Sequence, residues 1–282
     1  MCRILKKEFL NSQVCKIIIN APNISKKAKA GQFVILRAVN DSERIPLAIS
    51  DYNKEDGTIT IIFKIVGQST LELANLNENE CVCDIVGPLG NPSQVADIKK
   101  VLIICDDISC ATALSIVKCI NNSGGEIHSI LNFENTNKVI LKEEYEKITD
   151  KLILSIGNTK SCIDELEQLI SEKNKYDKVI AIGSLKMMQA VCKITEKHNI
   201  KTIVSLNPIM VDGTGMCGSC RVTVDSEMKF ACVDGPEFDG HKVDFDEIIS
   251  RSFMYKECEE HRKEGCCNLL NKEVEQNAKY GF

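Results

Sequence analysis

The feature that most constrains this chain is the string Asp212-Gly213-Thr214-Gly215-Met216-Cys217-Gly218-Ser219-Cys220, followed at a distance by Cys232. Its spacing, D-x4-C-x2-C-x11-C, matches the C-x4-C-x2-C run and distant fourth ligand of plant-type [2Fe-2S] sites, with Asp212 in the first position. Glycines suit a loop whose backbone must turn tightly around inorganic sulfide and aim N–H groups at it. Thiolates are the usual iron ligands, and a carboxylate is a harder oxygen donor that also binds iron. A zinc knuckle is the competing reading. Structural zinc, however, takes four ligands from two paired clusters, and this segment offers one C-x2-C pair. An aspartate before glycine is also a common turn former, so spacing speaks more directly for Cys217, Cys220 and Cys232 than for Asp212.

The composition agrees with a metal rather than a disulfide use of sulfur. Fifteen cysteines is an odd number, and the N-terminus lacks the apolar core and cleavage site of a signal peptide. A cytoplasmic location is therefore expected. Cys15, Cys105, Cys119 and Cys192 sit in apolar runs and read as small packing residues. A formal charge of −5 with Lys and Arg spread along the chain gives no basic stripe, which argues against nucleic acid. No apolar run of about 18 residues is present, so a membrane role is set aside.

At 282 residues the chain has room for two compact domains. Short strand-like runs (VCKIIIN, GQFVILRAV, TITIIFKIV) suggest an N-terminal antiparallel β-barrel over residues 1–97. Gly87-Pro88-Leu89-Gly90-Asn91-Pro92 reads as a hinge, because glycine and proline punctuate regular structure. From Lys99 buried strands alternate with helices expected near 110–122, 162–173 and 185–198, which predicts a doubly wound parallel α/β domain over 98–207. KTIVSLN at 201–207 is the expected closing strand. A separate small cluster module then spans 208–250, and 251–282 is a charged tail, frayed or helical.

With the cluster string in view, Arg44-Ile45-Pro46-Leu47-Ala48, Ile62-Phe63-Lys64 and Gly67-Gln68-Ser69-Thr70 together resemble the flavin-binding barrel of the ferredoxin reductase superfamily. The order of barrel, nucleotide domain and C-terminal cluster is similar to the electron-transfer subunits of dihydroorotate dehydrogenase. It is more similar still to the small subunits of NADH-dependent ferredoxin:NADP oxidoreductase, also called sulfide dehydrogenase. The likeness covers roughly residues 5–255 and is most specific in the cluster loop, R-x-P-L and GPLGNP. It implies FAD held by Arg44, Ile45, Pro46, Leu47, Ala48, Ile62, Phe63, Lys64, Ser69 and Thr70, with Arg44 toward the phosphates and Ser69 and Thr70 in the pyrophosphate turn. Turn capping is the structural alternative for these polar groups. The resemblance also places the relatives' aspartate ligand on Asp212. It implies a large flavin and iron–sulfur partner subunit, and ferredoxin as a further partner. Relatives usually carry Ser or Thr where this chain has Ala48, so a hydroxyl facing the flavin N5 is missing.

The nucleotide domain departs further. Relatives seat NAD(P)H on a GGGxGxAP turn, whereas this chain has Cys105-Asp106-Asp107-Ile108-Ser109-Cys110-Ala111-Thr112. Glycines allow close approach to a pyrophosphate, and paired carboxylates repel it. Glu134-Asn135-Thr136-Asn137 stands where relatives place an arginine near the adenosine ribose. Gly183, Ser184 and Met187 retain the outline of the turn beside the nicotinamide. Three readings stay open: a FAD/[2Fe-2S] oxidoreductase subunit using NAD(P)H, the same relay without nicotinamide, and a non-enzymatic zinc-containing scaffold. Cys258, His261, Cys266 and Cys267 form a weaker metal candidate, with a solvated tail as the alternative. His128, His198 and His241 show no partner pattern.

Overall fold

The computed structural model describes residues 2–253, so the Cys258–Cys267 candidate lies outside the described residues. The N-terminal region forms two antiparallel sheets. One has the order β5-β6-β2-β1-β7, from β1 (Cys2–Asn11), β2 (Val14–Asn20), β5 (Asp51–Asn53), β6 (Thr58–Lys64) and β7 (Cys81–Val82). The other has the order β4-β3-β8, from β3 (Phe33–Arg37), β4 (Ile45–Ala48) and β8 (Asp84–Leu89), with helices α1 (Pro22–Ser25) and α2 (Gln68–Asn75) in the connections. Cys15, Ile17 and Ile19 of β2 point inward with Ile59, Ile61 and Phe63 of β6, as the two-residue period of a half-buried strand requires. Pro46 sits on β4 at a sheet edge, the place where a residue without an N–H is tolerated.

Strand β3 serves two cores. Its Val34 and Leu36 join the N-terminal core, while Phe33 and Ile35 face a second core shared with the parallel sheet and the cluster segment.

The second sheet begins with β9 (Lys100–Asp106), α3 (Ser109–Asn122), β10 (Glu126–Phe133), α4 (Lys142–Ile148) and β11 (Lys151–Ile156). It continues with α5 (Thr159–Ser171), β12 (Lys178–Ile182), α6 (Leu185–Lys197) and β13 (Thr202–Ser205). After the cluster loop come β14 (Arg221–Val224), β15 (Glu227–Phe230), β16 (Glu237–Asp239) and α7 (Phe245–Ser252). The sheet order is β11-β10-β9-β12-β13-β16, parallel except at its last strand. Central β9 is buried on both faces: Leu102 and Ile104 enter one core, Val101, Ile103 and Cys105 the other. That double burial is why VLIIC reads as a continuous apolar run.

Two expectations require correction. The strand at 202–205 does not close the sheet, because β16 pairs with it through Val204 and Phe238. A three-residue strand arriving after a long loop carries no periodic signal. The cluster segment packs on the parallel sheet: Cys220, Val222, Ala231, Cys232 and Phe238 share one core with Leu102, Met187 and Val204. Finally, Gly87–Pro92 is no hinge. Strand β8 runs through Leu89, and Asn91 is fastened across to the segment after Cys232, its backbone N–H on Gly235 O (2.6 Å) and its amide on Val233 O (3.1 Å) and Asp234 O (2.9 Å).

Candidate functional site

The four candidate iron ligands fall into two pairs. Cys220 and Cys232 are both buried with their sulfurs 3.2 Å apart. Asp212 and Cys217 stand on the outer side, the thiol of Cys217 donating to Asp212 Oδ1 at 3.3 Å. Among the described residues no group of three or more His, Cys, Asp or Glu side chains is placed to hold a metal ion. Ligands divided two and two suit a binuclear cluster, in which each iron takes its own pair, better than a single tetrahedral zinc.

The loop is organised by Asp212 itself. Its carboxylate accepts from the N–H groups of Thr214 (3.1 Å), Met216 (3.1 Å) and Cys217 (3.0 Å). These bonds, led by that of Thr214, hold its carboxyl below the usual range. The Cys217 thiol is also drawn down, chiefly by the side chain and N–H of Ser219. Burial pushes the Cys232 thiol the other way, up to about 12, with Cys220 adding to the shift. Gly213 adopts φ 72°, and a methyl group there would stand 2.5 Å from Ile35 Cδ1 and 2.8 Å from Leu89 Cδ1. Only a residue without a side chain lets the loop seat this closely against β3 and β8.

A cleft of about 1040 Å³ opens beside this contact, between β4, β6, the β9–α3 turn and the segment Ser205–Val211 that leads into Asp212. Of the expected flavin residues it is lined by Arg44, Ile45, Pro46, Leu47, Ala48, Ile62, Phe63, Lys64 and Thr70. Ser69 is half-buried in the first turn of α2 and lies outside the lining. The lining is largely apolar, with Phe33 and Phe63, and carries the cations Arg44 and Lys64 beside the carboxylate of Glu43, which suits a planar ring joined to phosphates. Arg44 is paired with Asp84 and Lys64 with Asp107. The Thr70 hydroxyl takes the N–H groups of Val66 (3.0 Å) and Gly67 (3.1 Å), the capping role named above as its alternative. Ala48 offers a methyl group to the cleft and no donor.

At the other side of the cleft the parallel sheet reverses its order between β9 and β12, the crevice where open α/β sheets take ligands. The crevice opens into the same cleft, through Ile108, Ser109, Thr112, Ile182 and Gly183. A methyl group on Gly183 would stand 2.5 Å from Asp106 Cβ, so the aspartate side chain abuts the neighbouring turn. Asp106 accepts from the Asn132 amide at 3.0 Å, and the Asp107 N–H is spent on Asn132 O at 2.8 Å. Asp107 itself holds φ 51°, a left-handed backbone of the kind glycine would adopt more easily. Of the expected nicotinamide residues, Gly183 lines both this cleft and a second one of about 800 Å³, Ser184 lines the second and caps α6, and Met187 is buried in the core.

A family model for the iron–sulfur cluster binding domain of dihydroorotate dehydrogenase B matches residues 207–244, the stretch holding all four candidate ligands. Over nearly the whole length, the chain is 39% identical to a Thermotoga maritima homologue of the dihydroorotate dehydrogenase B (NAD(+)) electron-transfer subunit, covering 91% of this chain and 92% of that one. The chain belongs to this electron-transfer subunit family. It is also 42% identical to an uncharacterised Clostridium beijerinckii protein from the adh 3' region, covering 91% of each. Among solved structures, a chain from the NADH-dependent reduced ferredoxin-NADP oxidoreductase, a structure described for flavin-based electron bifurcation, superimposes with a TM-score of 0.87 at 37% identity, over 95% of this chain and 98% of that one. Phthalate dioxygenase reductase, at 13% identity and a TM-score of 0.58, shares the fold alone. The family's ferredoxin reductase-like architecture is thus present: antiparallel sheets, then a parallel sheet, then the cluster segment.

Three parts of this family member's site were not visible in its sequence. Leu206–Ile209 and Val211 wall both clefts, Asn91 clasps the cluster segment, and Arg251 of α7 donates to the carbonyls of Ser219 (3.1 Å) and Arg221 on either side of Cys220. Each depends on tertiary placement. A Gly-Asn-Pro string or a lone helical arginine carries no such signal by itself.

Proposed function

We propose that the chain carries FAD and a [2Fe-2S] cluster and relays electrons between a two-electron carrier and a one-electron partner, as an oxidoreductase subunit. The observation that carries this reading is the shared wall. Ser205–Val211 lines the cleft and leads directly into Asp212, and Gly213 rests on Ile35 and Leu89 of the same sheet that presents Pro46–Ala48. When bound, FAD takes up two electrons and gives them out singly, and the cluster carries them one at a time.

The chain's own residues have positioning roles. Arg44 and Lys64 bring positive charge to the phosphate end, and Ile45–Ala48 and Phe63 pack against the ring. Asp212, Cys217, Cys220 and Cys232 hold the cluster, and the N–H groups of the loop support the ligand carboxylate. In this reading residues 1–97 form the FAD-binding barrel, 98–207 the nucleotide-type domain and 208–250 the cluster segment. The working assembly is cytoplasmic, with a larger flavin and iron–sulfur subunit and with ferredoxin as a one-electron partner.

Absorption and EPR spectra of anaerobically purified protein, with flavin extraction and iron analysis, test this directly. Bound FAD and a reducible two-iron signal are expected. A colourless preparation containing zinc and no iron would instead support a scaffold.

A further inference from the structure

We infer that Asp106 and Asp107 make the β9–α3 turn reject pyridine dinucleotides, so that the relay exchanges electrons with protein partners alone. The inference deepens the cofactor reading above and rests on it for the word relay. A dinucleotide pyrophosphate needs three things from a strand-to-helix turn: room for close approach, free N–H groups and net positive or neutral charge. The last is missing here and the first two are reduced.

Room is narrowed at the strand end, where a methyl group on Gly183 would stand 2.5 Å from Asp106 Cβ. Three N–H groups of the turn are spent: Asp107 N–H goes to Asn132 O, Cys110 N–H to Asp107 O and Ala111 N–H to Ile108 O. Cys110 and Ala111 are also fully buried, so no ligand reaches their backbone. The charge is wrong in sign. Lys64 is already paired with Asp107 and Lys138 with Glu134, while Asp106 has only an amide for a partner. An arriving diphosphate would have to displace Asp107 from Lys64 and then face the freed carboxylate. The same ion pair ties the turn to strand β6, which lines the cleft.

The test uses full-length protein purified anaerobically, titrated in a calorimeter with NADH and with NADPH, and in parallel followed by flavin absorbance. No binding is expected, and neither nucleotide should bleach flavin that dithionite bleaches completely. Saturable binding, or bleaching by either nucleotide as complete as with dithionite, would overturn the inference. Calorimetry reads binding whether or not flavin is present. A preparation without FAD or cluster therefore sinks the cofactor reading while this one is still decided. Two double variants, Asp106→Asn with Asp107→Asn and Asp106→Gly with Asp107→Gly, remove the charge with and without preserving the side-chain volume. At least one should gain roughly tenfold or more in dinucleotide affinity. If both are folded, by circular dichroism, and neither gains, the two carboxylates are not what excludes the nucleotide.

Discussion

The cluster loop and the β9–α3 turn both carry aspartates next to segments that line the same cleft, and they use them in opposite ways. Asp212 points into its own loop, where three N–H groups converge on it and glycines allow the backbone to wrap around the site. Asp106 and Asp107 stand where the strand meets a turn without glycine, where the Asp107 N–H goes to Asn132 O and the carboxylates look to Asn132 and Lys64. An acid among converging backbone donors becomes part of a built site. An acid paired with neighbouring side chains brings negative charge to the turn. The parallel sheet is intact around it, so on the inference above the fold has outlived the chemistry of its first turn.

The comparison is most severely tested at the buried pair. Cys220→Ser and Cys232→Ser should each abolish the cluster while leaving flavin bound, read by iron content and EPR. Retention of a full cluster would mean that the two pairs are not the ligand set. Next in size, Gly213→Ala places a side chain at φ 72°, a strain of about 1–2 kcal/mol before its contact with Ile35 is counted. Reduced cluster occupancy and slower flavin-to-cluster transfer in stopped flow are expected, and wild-type values would show that the loop's seat on β3 is dispensable. Asp212→Cys should keep the cluster and move its midpoint potential, because a softer donor replaces oxygen. Potential and spectrum both unchanged would show that Asp212 serves the loop and never the iron. The smallest effect belongs to Asn91→Ala. It removes two side-chain hydrogen bonds to the segment after Cys232 and should cost about 1–3 kcal/mol in thermal unfolding with little change in the EPR signal.

Sequence reading was strongest where local chemistry and structure coincide. VCKIIIN is strand β2 over its full length, VLIIC is the central strand, and the ligand spacing picks out residues that the fold brings into two adjacent pairs. It was weakest where a contact is made at long range. Strand β16 is three residues long, β11 is a partly buried edge with little alternation, and the Asn91 clasp joins positions more than 140 residues apart. The glycine-poor turn lies between these cases. Its missing glycines are plain in the sequence, but the Lys64 partner and the close approach of Asp106 to Gly183 need a second strand and a second turn to be in place.

The antiparallel strand β16 has a consequence for how the chain matures. Being supplied from beyond Cys232, it covers the flank of β13, which would otherwise present a row of open peptide groups to any passing strand. A nascent or truncated chain ending near residue 207 should therefore be sticky, and the iron-binding region acts as its own solubilising lid. The iron ligands and the cover of that edge are thus carried by one stretch of chain, so truncation near residue 207 should cost solubility as well as the cluster.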